Sequence, residues 1–156
     1  DAEPDIFHPG DLDYIHSVER ISRLSNVISI NGGVQLDLMG QENAESTGTR
    51  QLSGVGGQMD FLEGAYRSKG GKGFICINSS RVTKDGERKS NILATIPGGS
   101  TISAPRTMIQ YVATEYGIAS LSGKTLRERA EAMASIAHPD FRDELTFEAK
   151  KRGIMI

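Results

Sequence analysis

Short apolar runs of strand length alternate with segments of helical periodicity, and this alternation constrains the fold more than any other feature of the chain. NVISIN (26–31) is an apolar run that stops at Asn31-Gly32-Gly33, where a strand cannot easily continue. VQLDLMG (34–40) alternates over Val34, Leu36 and Leu38, which predicts a strand with one polar face. GFICIN (73–78), NILATIP (91–97), STISA (100–104) and MIQYVATEYG (108–117) add further short strands, with a charged hairpin or loop over 83–90. These runs are too continuous for a half-solvated meander. They predict an α/β fold, an open mixed or mostly parallel sheet flanked by helices on both faces, with an α+β arrangement as the other possibility.

The helical segments are equally legible. Leu12, Ile15, Val18, Ile21 and Leu24 recur at helical spacing and predict one amphipathic helix over 11–24. A helix starting near Gln58 would bury Phe61, Leu62, Ala65 and Tyr66. Thr125 and Glu128 form a capping-box pattern ahead of Leu126, Ala130, Met133 and Ala137 on one face. A last helix opens at Pro139, carries Asp140 and Asp143 early and Lys150, Lys151 and Arg152 late, and stops at Gly153. The intervening tract QENAESTGTRQLSG (41–54) is polar and turn-rich.

Composition excludes several functions. With 37% hydrophobic residues over 156 positions, one core and one compact domain are expected. A formal charge of −2, with no like-charge block beyond Lys150-Lys151-Arg152, argues against a nucleic-acid partner. No apolar stretch approaches a membrane span, and the first residues, DAEPDIFHPG, lack the pattern of a signal peptide. The single cysteine, Cys76, suits a reducing compartment and predicts a cytoplasmic protein; inside GFICINS it reads as a buried, inert thiol. The acidic, Pro-containing start Asp1 to Asp5 reads as a linker within a longer polypeptide.

The loop SGVGG (53–57) is the strongest candidate for chemistry. Gly54, Gly56 and Gly57 would let backbone N–H groups crowd around an anion or a carbonyl oxygen, and the helix behind them adds partial positive charge. It could hold phosphate or form half of an oxyanion hole. A tight turn that needs positive φ would use the same glycines. The dinucleotide fingerprint fails because Met59 stands where its third glycine belongs. Gly123-Lys124-Thr125 imitates a P-loop, but Ile118 occupies the position of the first glycine and a capping box accounts for the threonine. Lys69-Gly70-Gly71-Lys72 is a second glycine turn, suited either to an anion or to solvent. His8, His16 and His138 lack metal-ligand spacing. Glu115 closes a strand-like run, where a catalytic role competes with a structural one that is favoured.

Taken in order, SINGG-x-x-x-DLMGQ-x-NAE, GVGGQMDFLEGA, SKGGK, APRT with YVATEYG, LSGKTLRERA and IAHPDFRDEL resemble the C-terminal domain of the acetyl-CoA hydrolase/transferase family. Within it the chain looks most like butyrate–acetate and 4-hydroxybutyrate CoA-transferases, over about residues 26–148. The resemblance implies residues 1–25 as linker and leading helix and 26–156 as the CoA-transferase C-terminal domain. It also implies transfer of coenzyme A from an acyl-CoA to a short-chain carboxylate through an enzyme glutamyl thioester, with no permanently bound cofactor. Acyl-CoA hydrolysis and a non-catalytic CoA-binding module are the alternatives. The family's glutamate lies in the preceding domain, and its motif has no counterpart here, so that N-terminal transferase domain is an implied partner. An assembly of identical chains is implied as well. Asn31, Gly54, Val55, Gly56, Gly57 and Lys72 fall at CoA-contacting positions, with the Gly54 backbone N–H as the oxyanion donor.

Overall fold

The computed structural model describes residues 9–155. The stretch Asp1 to Asp5 and His8 lie outside the described residues. The predicted first helix is two helices, α1 (Leu12–Ile15) and α2 (Val18–Arg23). Ser17 is extended, and its hydroxyl oxygen accepts the Arg20 N–H, so it caps a new helix instead of continuing the old one. Ile21 is the buried residue of the pair.

Strand β1 (Ile28–Gly32) leads to β2 (Gln35–Asp37), β3 (Glu42–Asn43) and a small hairpin of β4 (Ser46–Thr47) and β5 (Arg50–Gln51). The loop to α3 (Gln58–Arg67) follows, then β6 (Lys72–Cys76). A hairpin of β7 (Ser80–Val82) and β8 (Arg88–Ser90) precedes β9 (Ile92–Leu93). The chain finishes with β10 (Tyr111–Thr114), β11 (Gly117–Ser120), α4 (Leu126–Ser135) and α5 (Pro139–Lys151). The main sheet has the order β1-β6-β10-β11, with β1, β6 and β10 parallel and β11 antiparallel to β10. A second sheet, β3-β2-β9, is also mixed. This is the expected open, mixed α/β architecture.

Register decides which side of the main sheet is buried. Asn31, Ile75, Val112 and Ala119 stand in one row across all four strands, on the side that α3 covers. Ile75 and Val112 there are fully buried and join Leu36, Leu62, Leu121 and Met133 in the core. The neighbouring row, Ile30, Phe74, Tyr111 and Ser120, points the other way. Ile28, Ile30 and Ile118 on that side are 51%, 68% and 64% exposed, so among the described residues one face of this sheet is open. The expectation of helices on both faces is corrected: the described helices pack on a single side.

Other expectations shift for the same geometric reasons. Cys76 is exposed, because the alternation of β6 buries Gly73 and Ile75 and turns Cys76 outward. In α3, Leu62, Gly64 and Ala65 are buried, whereas Phe61 is half-buried and Tyr66 exposed. The polar positions of β2 are buried, not solvated. Asp37 is satisfied internally: its carboxylate accepts the Met39 and Gln41 N–H groups and the Gln41 side-chain amide, each at 2.9 Å. STISA forms no strand beyond a single bridge of Ala104 to Glu42. Leu126 is 43% exposed, while Ala130 and Met133 of its helix are buried as expected. The capping box of α4 forms in both directions, and α5 begins at Pro139 behind a His138 cap. No helix among the described residues is long and apolar enough to cross a membrane.

Candidate functional site

Parallel strands β1, β6 and β10 end together, and the connections leaving their carboxyl ends form one edge of the molecule, the usual place for ligands in open α/β sheets. The Gly54–Gly57 loop belongs to this edge because α3 starts there and runs back to β6. Its incoming arm is fixed by Glu45, whose carbonyl accepts the Leu52 and Ser53 N–H groups at 2.7 and 3.2 Å. The Gln51 side-chain amide adds a bond to the Ser53 carbonyl at 2.7 Å.

The outgoing arm is fixed by close packing. A Cβ at Gly57 would lie 2.1 Å from Cε1 of His16, so the imidazole occupies the space that a side chain would need. The same ring meets Phe61 edge-on at 5.0 Å and approaches the Asp60 carboxylate to 3.5 Å. His16 thus has a structural part, bracing the first turn of α3 against α1.

Between these arms the loop is open. Residues 54–56 are exposed, and Gly56 adopts a left-handed backbone at φ +60°. Gly54 is different: its φ is ordinary, and a Cβ there would meet no atom within 4 Å. The fold itself does not require glycine at 54. Among the described residues the N–H groups of Gly54, Val55, Gly56 and Gly57 donate to no protein acceptor. With the unpaired N–H groups opening α3, they present a concentration of donors and partial positive charge.

Glu42, which sequence reasoning passed over as part of a polar turn, stands behind the loop. It is fully buried and accepts the Gln58 side-chain amide at 2.7 Å on Oε2, while Oε1 has no partner. Burial pushes its pKa up to about 7 against the Gln58 hydrogen bond, and nearby Glu45 pushes the same way. No feature of the sequence distinguishes Glu42 from the other polar residues of the tract 41–54, some of which are exposed. The polar residues around it are also internal: Asn43 Oδ1 accepts the Glu45 and Ser46 N–H groups at 3.0 and 2.9 Å.

Glu115 has the structural role. Its carboxylate accepts the Ser79 N–H at 2.9 Å and the Ser79 hydroxyl at 2.6 Å, tying the loop after β6 to the β10–β11 turn. Burial acts to raise its pKa, but the Ser79 donors, its own N–H and His138 outweigh burial and hold the carboxyl below its ordinary value. An open recess of about 450 Å³ lies here, lined by Gly33, Cys76, Asn78, Ala113, Thr114 and Glu115 among others. A recess of similar size between α4 and α5 lies on a different part of the molecule.

The remaining sequence candidates divide. Asn31 lies in the last half of β1 on the α3 side, and its amide donates to Ser29 Oγ at 2.8 Å, leaving Oδ1 available. Lys72 opens β6 and pairs in register with Ile28, at the amino end of the sheet and about 13 Å of strand from Cys76. It is exposed and is not brought together with the glycine loop.

Residues 2–149 match the acetyl-CoA hydrolase/transferase C-terminal domain. The chain is 47% identical over 143 residues to butyryl-CoA:acetate CoA-transferase of Anaerostipes caccae, covering 92% of this chain and 32% of that protein. It is 48% identical over 141 residues to 4-hydroxybutyrate coenzyme A transferase of Clostridium kluyveri, covering 90% and 32%. The crystal structure of RipA from Yersinia pestis superimposes with a TM-score of 0.82 at 41% identity, over 92% of this chain and 31% of that one. The chain spans about a third of the length of the curated relatives it matches. With the family matched over nearly its whole length, this chain belongs to the acetyl-CoA hydrolase/transferase C-terminal domain family.

Proposed function

We propose that this chain is the CoA-binding part of a CoA-transferase that moves coenzyme A between a short-chain acyl-CoA, such as butyryl- or 4-hydroxybutyryl-CoA, and acetate. The observation that carries the reading is Gly54: it is glycine where the fold does not need one, in a loop of unpaired N–H groups at the carboxyl edge of the sheet. A backbone that must approach a ligand closely accounts for that choice. The names of the relatives, both CoA-transferases, support this reaction class.

The chemistry begins when a glutamate outside this chain attacks the acyl-CoA carbonyl and expels CoA thiolate, giving a mixed anhydride. The thiolate then attacks the glutamyl carbonyl, releasing the first carboxylate and leaving an enzyme glutamyl-CoA thioester. An incoming carboxylate reverses these steps. Each attack places negative charge on a carbonyl oxygen, and a fixed N–H such as that of Gly54 stabilises it without reorganising at the moment of reaction. Val55, Gly56 and Gly57 extend the donor surface along the loop, and Asn31 Oδ1 offers an acceptor from the strand. Lys72, at the far end of the sheet, can engage only the distal part of a bound CoA. Binding energy from that remote part is available to position the thioester. CoA is a substrate in this scheme, not a resident cofactor, and the enzyme works in the cytoplasm as an assembly of identical chains.

The test is turnover by the polypeptide that joins this chain to its upstream region. CoA exchange that requires acetate supports transfer; CoA release at the same rate without acetate assigns the domain to a hydrolase instead.

A further inference from the structure

We propose that the open face of the main sheet seats the polypeptide region that precedes this domain in the full-length relatives. The face is built row by row. Ile30, Phe74 and Tyr111 stand side by side across β1, β6 and β10, and the Phe74 and Tyr111 rings stack at 4.9 Å with an interplanar angle of 21°. The next row is Gly32, Cys76, Ala113 and Ile118. These rows carry no charge, and Lys72, paired with Ile28 at one corner, is the sole charge among the strand residues on this face.

Such a surface is costly to leave in water. Sheets with parallel strands are covered on both faces, and contiguous apolar patches of this kind mark interaction sites. Among the described residues no strand pairs with the outer edge of β1, which leaves its backbone groups open to further pairing as well.

Two observations select the occupant. The matched family is a C-terminal domain, and about two thirds of each relative's length lies outside the matched segment, so a region large enough to cover the face precedes it. The row containing Cys76 and Ala113 also runs directly into the recess that Gly33, Asn78 and Glu115 help to line. Whatever lies on the face therefore borders the carboxyl edge. This step rests on the proposed function: the reaction needs a glutamate from outside the chain, and a second copy of the chain would not bring one.

The experiment compares Ile30→Glu and Ile118→Glu in two settings, the 156-residue chain and the longer polypeptide that joins it to its upstream region. Phe147→Glu, on α5 and 64% exposed, is the control. In the chain alone all three substitutions should leave Tm unchanged, because each side chain is already in water. In the longer polypeptide Ile30→Glu and Ile118→Glu should lower Tm by several degrees, and Phe147→Glu should not. Equal Tm values for Ile30→Glu and the parent in the longer polypeptide would overturn the proposal. So would a dimer of the chain alone, seen by sedimentation, that Ile30→Glu splits, since the face would then belong to a second copy. Calorimetry of CoA against the unsubstituted chain is run alongside: its failure would count against the CoA-binding reading and leave the docking result standing.

Discussion

Gln58 and Glu42 are joined by a 2.7 Å hydrogen bond that ties the first residue of α3 to a fully buried carboxyl group. The glycine loop ends one residue earlier, so the position of its donors depends on a group whose charge changes near neutral pH. Burial raises the Glu42 pKa from 4.5 to about 7. Between these values the folded chain holds a proton that the unfolded chain releases, so stability falls as pH rises from about 4.5 to about 7 and levels off above. Glu42→Gln removes this dependence and keeps an oxygen for Gln58. Thermal unfolding should show the variant matching the parent below pH 4.5 and exceeding it at pH 8, by on the order of 3 kcal/mol. Parallel Tm profiles across that range would contradict the assignment.

Gly57 and His16 make a second testable pair. Gly57→Ala drives a methyl group into the imidazole and should cost about 1–3 kcal/mol by denaturant unfolding. His16→Ala in the same chain should recover part of the loss, a coupling that a double-mutant cycle reads directly. Additive effects would mean that the ring does not brace the loop.

Gly56→Ala and Gly54→Ala should separate backbone strain from ligand approach. At φ +60° alanine costs about 1 kcal/mol at position 56, whereas at 54, with ordinary φ and open space, unfolding should be unchanged. Equal losses at both sites would show that Gly54 is held by the fold after all.

Thr125→Ala removes the hydroxyl that accepts the Glu128 N–H and should lower stability by about 1 kcal/mol. Its CoA-binding heat should match that of the parent chain. A change in binding heat would put Gly123-Lys124-Thr125 back among ligand-binding elements.

Much of this was legible from pattern. Thr125 with Glu128, and Pro139 ahead of its acids, mark helix starts by local chemistry, and both helices form as read. The run ending at Asn31 and the glycine loop before Gln58 likewise fall where expected, since strand and helix periods are local. What escaped depends on contacts distant in sequence. Ser17 looked like one more residue of a helix until its hydroxyl is seen capping Arg20. Asp37 reads as the polar face of a strand and Glu42 and Asn43 as a solvated turn, because polar composition does not reveal that Asp37 accepts the Gln41 N–H, Glu42 the Gln58 amide and Asn43 the Glu45 N–H inside the fold. Cys76 carries the apolar character of its strand, but its side of the sheet is open among the described residues. Lys72 sits beside a glycine turn that resembles the first, yet the strand it opens carries it to the opposite end of the sheet.

The central claim is that the Gly54–Gly57 loop meets CoA through its backbone. Calorimetric titration of CoA into the chain and into its Gly54→Val variant tests it most directly, with unfolding curves confirming that both are equally stable. The parent chain should bind, and the variant should bind at least tenfold more weakly, a difference of about 1.4 kcal/mol. Equal affinity of the two equally folded chains for CoA would contradict it.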